Sequence, residues 1–217
     1  VIMVSTNAIE VNLAQGNNTV PLPETGMVLK GVSCLGVPYL SIQISPGKNA
    51  IIPLGNASGA GGISYKDPMF RVHYTFPDIS FIVYAPNVPS SPCIFYFGDP
   101  ESDSIPLENL TGIVQNTSLT QGSTAGVMST TINFSFPSGR IMIDGIYSLA
   151  SAGYSVVNFP VSTGKQIYIM NSNRIGNDSI HPLAIEGSQS FSVNLSAYVP
   201  ASTTYNYWVI LYYQVVS

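Results

Sequence analysis

Charge is what this sequence has least of: Asp, Glu, Lys and Arg make up 8% of its 217 residues, against roughly 25% in an ordinary soluble domain. Seven basic and eleven acidic residues leave a net charge of −4. There is no basic stripe to hold a phosphate backbone, so nucleic acid is not expected as a partner. Charge also keeps protein surfaces apart, and here Ser, Thr, Asn and Gln must take over that part. A neutral polar surface changes little when carboxylates take up protons. This points to an extracellular, cell-surface setting, an acidic one included.

Long apolar runs are missing as well. The longest, Trp208 to Tyr213, falls far short of the roughly 18–20 residues of a membrane span. The N-terminus has no continuous hydrophobic helix of the type IV pilin kind. It opens Val1-Ile2-Met3-Val4, as a chain does once a signal peptide has been removed or its end trimmed.

Histidine and cysteine occur twice each. Cys34 and Cys93 form no CxxC pair and have no His cluster beside them, so neither a zinc site nor any other metal site is expected. They read either as one disulfide or as two small buried hydrophobes. A bridge closing that loop would contribute about 4 kcal/mol in the chain-entropy picture. His73 alternates with apolar neighbours and reads as an exposed surface histidine, whereas His181 precedes Pro182 in a loop. The sequence holds no G-x-S-x-G elbow, phosphate loop, HExxH or GxGxxG, and nothing pairs Asp67, Asp78, Asp144 or Glu186 as a glycosidase would need. No catalytic residue and no cofactor is assigned, and an enzyme is not expected. Asp99, Glu101, Asp103 and Glu108 crowd one loop, but Ser104 stands where a calcium loop needs Gly; a solvated loop fits better. Lys30, at the end of an apolar strand, reads as an ordinary lysine rather than as one arm of an isopeptide bond.

What the sequence does contain is period-two alternation. Phe70, Val72, Tyr74 and Phe76 alternate with Arg71, His73 and Thr75; Ile132, Phe134 and Phe136 alternate with Asn133 and Ser135; Phe191, Val193, Leu195 and Val199 alternate with polar residues. Such segments are strands with one face buried. Turn signals separate them, among them Ser45-Pro46-Gly47, Gly59-Ala60-Gly61-Gly62, Pro137-Ser138-Gly139 and Asp144-Gly145. The terminal stretch Tyr205–Val216 is apolar on both faces through Trp208–Tyr213 and belongs in the middle of a sheet. The pattern predicts an all-β protein, an Ig-like or jelly-roll-type β-sandwich.

Residues 1–22 stand apart. Ile9, Val11 and Leu13 alternate with Glu10, Asn12 and Ala14 as one strand, and Val20-Pro21-Leu22-Pro23 then reads as a stiff connector. The division expected is a tail over 1–22 and a sandwich head over 23–217.

Seven N-glycosylation sequons occur, at Asn17, Asn56, Asn109, Asn116, Asn133, Asn177 and Asn194. With 16 Asn, and 41 Ser or Thr among 217 residues, chance predicts about three. N-linked glycans are therefore expected, and they would replace the missing surface charge.

A detachable strand, a Pro-containing spacer, a β head and many sequons together resemble the subunits of archaeal threads, the thin extracellular filaments of thermoacidophilic archaea. The resemblance implies a glycosylated homopolymer acting in adhesion or biofilm formation. Each donor strand, around Ile9, Val11 and Leu13, would complete the sheet of the next copy. Three alternatives stay open. Residues 7–14 could pair within their own head; the chain could be a capsid, turret or spike protein of an archaeal virus; or it could be a carbohydrate-binding module using Tyr205, Tyr207, Tyr212 and Tyr213.

Overall fold

The computed structural model describes residues 7–54, 69–153, 155–162, 165–170, 174–175, 183–186 and 191–216, with backbone alone between 159 and 186. The chain divides into two compact units, Val1–Thr111 and Gly112–Ser217. Each is a sandwich of two mainly antiparallel sheets.

In the first unit the strands are β1 (Asn7–Val11), β2 (Gly16–Pro21), β3 (Val28–Ser33), β4 (Tyr39–Ser45), β5 (Lys48–Pro53), β6 (Phe70–Thr75), β7 (Ser80–Ala85), β8 (Cys93–Phe97) and the short β9 (Ile105–Pro106). One sheet runs β1-β8-β3-β6-β9 and the other β2-β7-β4-β5. If β1 to β8 are lettered B to I, these orders read B-I-D-G and C-H-E-F, with β9 added at one edge. That is the jelly roll, two Greek keys wrapped into a sandwich.

The second unit repeats the pattern. Its strands are β10 (Gly112–Thr120), β11 (Gly126–Phe134), β12 (Arg140–Ala150), β13 (Ser155–Ser162), β14 (Lys165–Met170), β15 (Arg174–Ile175), β16 (Leu183–Glu186), β17 (Phe191–Val199) and β18 (Thr204–Val216). The sheets run β10-β18-β12-β15, with β16 also on β12, and β11-β17-β13-β14. These are B-I-D-G and C-H-E-F again, the G strand being split in two. The chain is all-β, and it carries two consecutive jelly rolls.

Alternation explains the packing. Along β17, Phe191, Val193, Leu195, Ala197 and Val199 are buried, while Ser192, Asn194 and Tyr198 are exposed. Across this sandwich they meet Ile141, Ile143, Ile146, Tyr207, Val209 and Leu211 from β12 and β18. β18 lies between β10 and β12, as a strand apolar on both faces should. In the first unit, Phe81 of β7 stacks on Phe76 at 4.4 Å and meets Phe95 of β8 edge-on at 5.2 Å. Aromatic contacts of this kind add to what area burial contributes.

Three expectations are corrected. First, β1 is no donor strand for another molecule: it pairs antiparallel with β8 of its own chain, Ile9 opposite Phe95 and Val11 opposite Cys93. Leu13 is buried with 4% of its surface exposed. Second, Val20 and Pro21 are strand residues opposite Phe81 and Ser80, and the Leu22 N–H donates to the Ile79 carbonyl at 2.7 Å. The supposed spacer is thus part of the first roll, and the boundary between compact units falls at Thr111/Gly112 rather than after residue 22. Third, Asp144-Gly145 is no turn. It is a bulge within β12, where the pairing to β18 slips by one residue between Ile143 and Gly145.

Cys34 and Cys93 are joined as a disulfide, Cα–Cα 4.5 Å, tying the end of β3 to the start of β8. Next to it Gly36 has φ +80°, and a Cβ there would lie 2.8 Å from the Ser90 backbone nitrogen. Glycine alone allows that approach. The loop is held by Asn87 Nδ2, which donates to the Gly36 carbonyl at 2.7 Å, and by the Ser90 N–H, which donates to the Leu35 carbonyl at 3.0 Å.

Candidate functional site

With the inward positions committed to cores, function falls to the outer sheet faces. In the second unit, the outer face of β11 and β17 reads Val127 opposite Tyr198, Ser129 opposite Ser196, Thr131 opposite Asn194 and Asn133 opposite Ser192. It is a ladder of neutral polar groups, with the Ser129 and Ser196 hydroxyls 2.7 Å apart, and an exposed apolar pair at one end. On the other sheet, Ser118 Oγ donates to Asn206 Oδ1 at 2.6 Å, and the Thr120 and Thr204 hydroxyls lie 2.9 Å apart.

Five sequons fall on described residues. Asn17 on β2, Asn109 in the short 3-10 turn Leu107–Leu110, Asn116 on β10, Asn133 on β11 and Asn194 on β17 are all exposed. Asn56 and Asn177 lie outside the described residues. Asn133 and Asn194 share one face on neighbouring strands, in a diagonal relation set by the register, about 7–8 Å apart in ordinary sheet geometry.

The first unit carries a cleft on the outer face of its C-H-E-F sheet. Asn17, Tyr84 and Ser41 lie opposite one another on β2, β7 and β4, and Gln43 faces Asn49 across β4 and β5. With Ile82 these residues line a volume of about 400 Å³. A second cleft, of about 250 Å³, shares Gln43 and Ile82 and continues towards Pro46, Tyr74 and Asp78. Tyr84 and Ile82 remain 38% and 39% exposed, large apolar surface on an otherwise polar face. Beside them, on the same face of β4, Tyr39 stacks on Tyr84, ring centroids 6.4 Å apart. Burial, reinforced by Tyr84, pushes the Tyr39 phenol up to about 12.

One acid of the loop is paired, Arg71 Nη1 donating to both oxygens of Asp103 at 3.0 and 2.9 Å, while Asp99, Glu101 and Glu108 are exposed to solvent. His73 is half-buried, not exposed, because Ser104 covers it, with Nδ1 to Oγ at 2.8 Å. Among the described residues no three His, Cys, Asp or Glu side chains come close enough to hold a metal ion. No helix among them is long and apolar enough to cross a membrane. Tyr207, Tyr212 and Tyr213 are buried in the strand that closes the second roll, so they do not form a flat sugar-binding face. No local sequence signal marks the cleft in the first roll, since its six residues come from four strands.

No protein-family model matches the sequence, and no curated protein matches it. Among solved structures, the chain is similar to the STIV MCP, at 10% identity over 97% of this chain and 96% of that one, with a TM-score of 0.41. It is also similar to the major capsid protein P2 from bacteriophage PM2, at 11% identity over 98% of both chains, with a TM-score of 0.35. A chain in the atomic structure of Sulfolobus Turreted Icosahedral Virus is similar over 98% of this chain and 60% of its own, at 10% identity and a TM-score of 0.25. At these TM-scores the jelly-roll assignment rests on the strand order of this chain itself.

The thread resemblance is overturned. The strand that was to reach a neighbour is paired inside its own roll. Filament, donor-strand complementation and adhesion go with it.

Proposed function

We propose that this protein is a structural capsid subunit of a virus, assembling with copies of itself. The observation that carries this reading is the duplication: two complete B-I-D-G/C-H-E-F sandwiches follow one another in one chain. Jelly rolls serve as capsid, lectin and cupin domains, and the fold does not choose among these roles. Repetition favours the first. Each roll buries its own core, so neither needs the other to complete its interior. A chain that repeats one rigid block presents two similar sets of sides, which suits lateral tiling around a closed surface. The role named for the major capsid protein P2 of bacteriophage PM2 is proposed here for this chain on that basis.

A particle outside the cell also fits the composition. Neutral strand faces and exposed sequons, with N-linked glycans on them, would keep such a particle dispersed where charge is scarce. The test is immunogold electron microscopy of the extracellular particulate fraction, using antibody raised against this chain. The expected result is label on closed isometric shells. Label on threads, or on the cell envelope without particles, would overturn the proposal.

A further inference from the structure

We infer that the cleft on the outer C-H-E-F face of the first jelly roll is a binding site for a neutral saccharide. This goes beyond the shell role and does not depend on it. The cleft brings three side-chain amides, Asn17, Gln43 and Asn49, together with the Ser41 hydroxyl around Tyr84 and Ile82. None of its lining residues is charged. Among the described residues, none of these amides nor Ser41 makes a side-chain hydrogen bond of its own, whereas neighbouring Asn18 spends its amide on the carbonyls of Ala14 and Gly16 and on the Ala14 N–H. The cleft thus holds unspent donors and acceptors of both kinds.

The ligand class follows from that chemistry. An amide offers an N–H donor and a carbonyl acceptor side by side, which matches a hydroxyl that both donates and accepts. A pyranose carries hydroxyls around its rim and an apolar C–H face on its flat side. Tyr84 offers a partly exposed ring for that face, and its other contacts fix it: Tyr39 stacks beside it, and it lies between Asn17 and Ser41 across the sheet. A rigid aromatic with a few placed polar groups is the general form of a small-molecule site. Among the described residues lining the cleft there is no cation to meet a phosphate or carboxylate ligand. At the centre of the cleft β7 and β4 offer no edge for peptide strand addition, because both are inner strands already paired on both sides.

The saccharide has two possible sources. It could be a soluble or cell-surface glycan, or the chain's own glycan on Asn17, whose sequon opens onto the cleft. The experiment has an arm for each. In the first, unglycosylated protein is titrated with mannopentaose and with chitopentaose, followed by amide NMR shifts and calorimetry. At least one is expected to bind, with shifts confined to β2, β4, β5 and β7. Tyr84→Ala should weaken it tenfold or more and Tyr84→Phe by less than threefold, with both variants still folded, as the amide spectrum away from the cleft shows. In the second, protein from the native source is mapped by glycopeptide mass. A glycan on Asn17 that resists enzymatic trimming in the native chain, and is trimmed in Tyr84→Ala, identifies the attached sugar as the occupant. If neither oligosaccharide binds and Asn17 is bare or trimmed equally in both chains, the inference is overturned. Binding that Tyr84→Ala and Asn49→Ala leave unaffected overturns it too.

Discussion

Ile9 lies directly opposite Phe95, the first strand of the chain being hydrogen-bonded along β8 in the same jelly roll. Phe95 is fully buried and Ile9 half-buried at the sheet edge. Just past the strand, Leu13 closes the core from this side. The N-terminal ribbon is therefore a working wall of the first roll.

Leu13→Ala should lower the stability of the first roll by about 2–5 kcal/mol, the cost of emptying a fully buried leucine site. Urea unfolding followed by tyrosine fluorescence measures it. A synthetic peptide of residues 7–14, added in excess to the intact chain, should not bind, because its place is already taken. Binding of that peptide to the intact chain would revive exchange between molecules.

Reducing Cys34–Cys93 should cost the first roll about 4 kcal/mol, since the bridge closes a loop with a sequence separation of 59. Hydrogen exchange at the amides of β3 and β8 is the readout, with faster exchange expected after reduction. Cys34→Ser with Cys93→Ser should match the reduced protein.

Alkaline stability should depend on Tyr39. Its phenol is held up to about 12 by burial and by Tyr84, against an unfolded value near 10. Below about pH 10 both states keep the proton and the stabilisation is intact. Between about pH 10 and 12 only the unfolded chain ionises there, and stability falls as pH rises. Tyr39→Phe should flatten that decline in a pH series of thermal midpoints; an unchanged slope would count against the assignment.

Asn133 and Asn194 should not both carry glycans on one molecule. Their diagonal placement on one face leaves about 7–8 Å between them, too little room for two branched sugars to pack freely. Intact-mass analysis of chain from the native source, with glycopeptide mapping, should find either site occupied but not both together. Full occupancy at both would refute this.

The sequence by itself determined the strands. Strict alternation at 191–199 and the two-sided apolar run at 208–213 leave the backbone little choice, because burying one residue in two, or every residue, is a local property of each segment. It likewise marked the five described sequons now found exposed. Partnership was not legible. Ile9, Val11 and Leu13 carry the same pattern whether they pair with Phe95 of their own chain or with another molecule, since period two states which face is buried and never against whom. Asp144-Gly145 looks like a turn locally and becomes a bulge because β18 continues past it on both sides. The division into two rolls and the gathering of Asn17, Ser41, Gln43, Asn49, Ile82 and Tyr84 into one cleft were decided by tertiary structure alone. Strand order sets both, and strand order is fixed by long-range closure of the sheets rather than by any stretch of neighbouring residues.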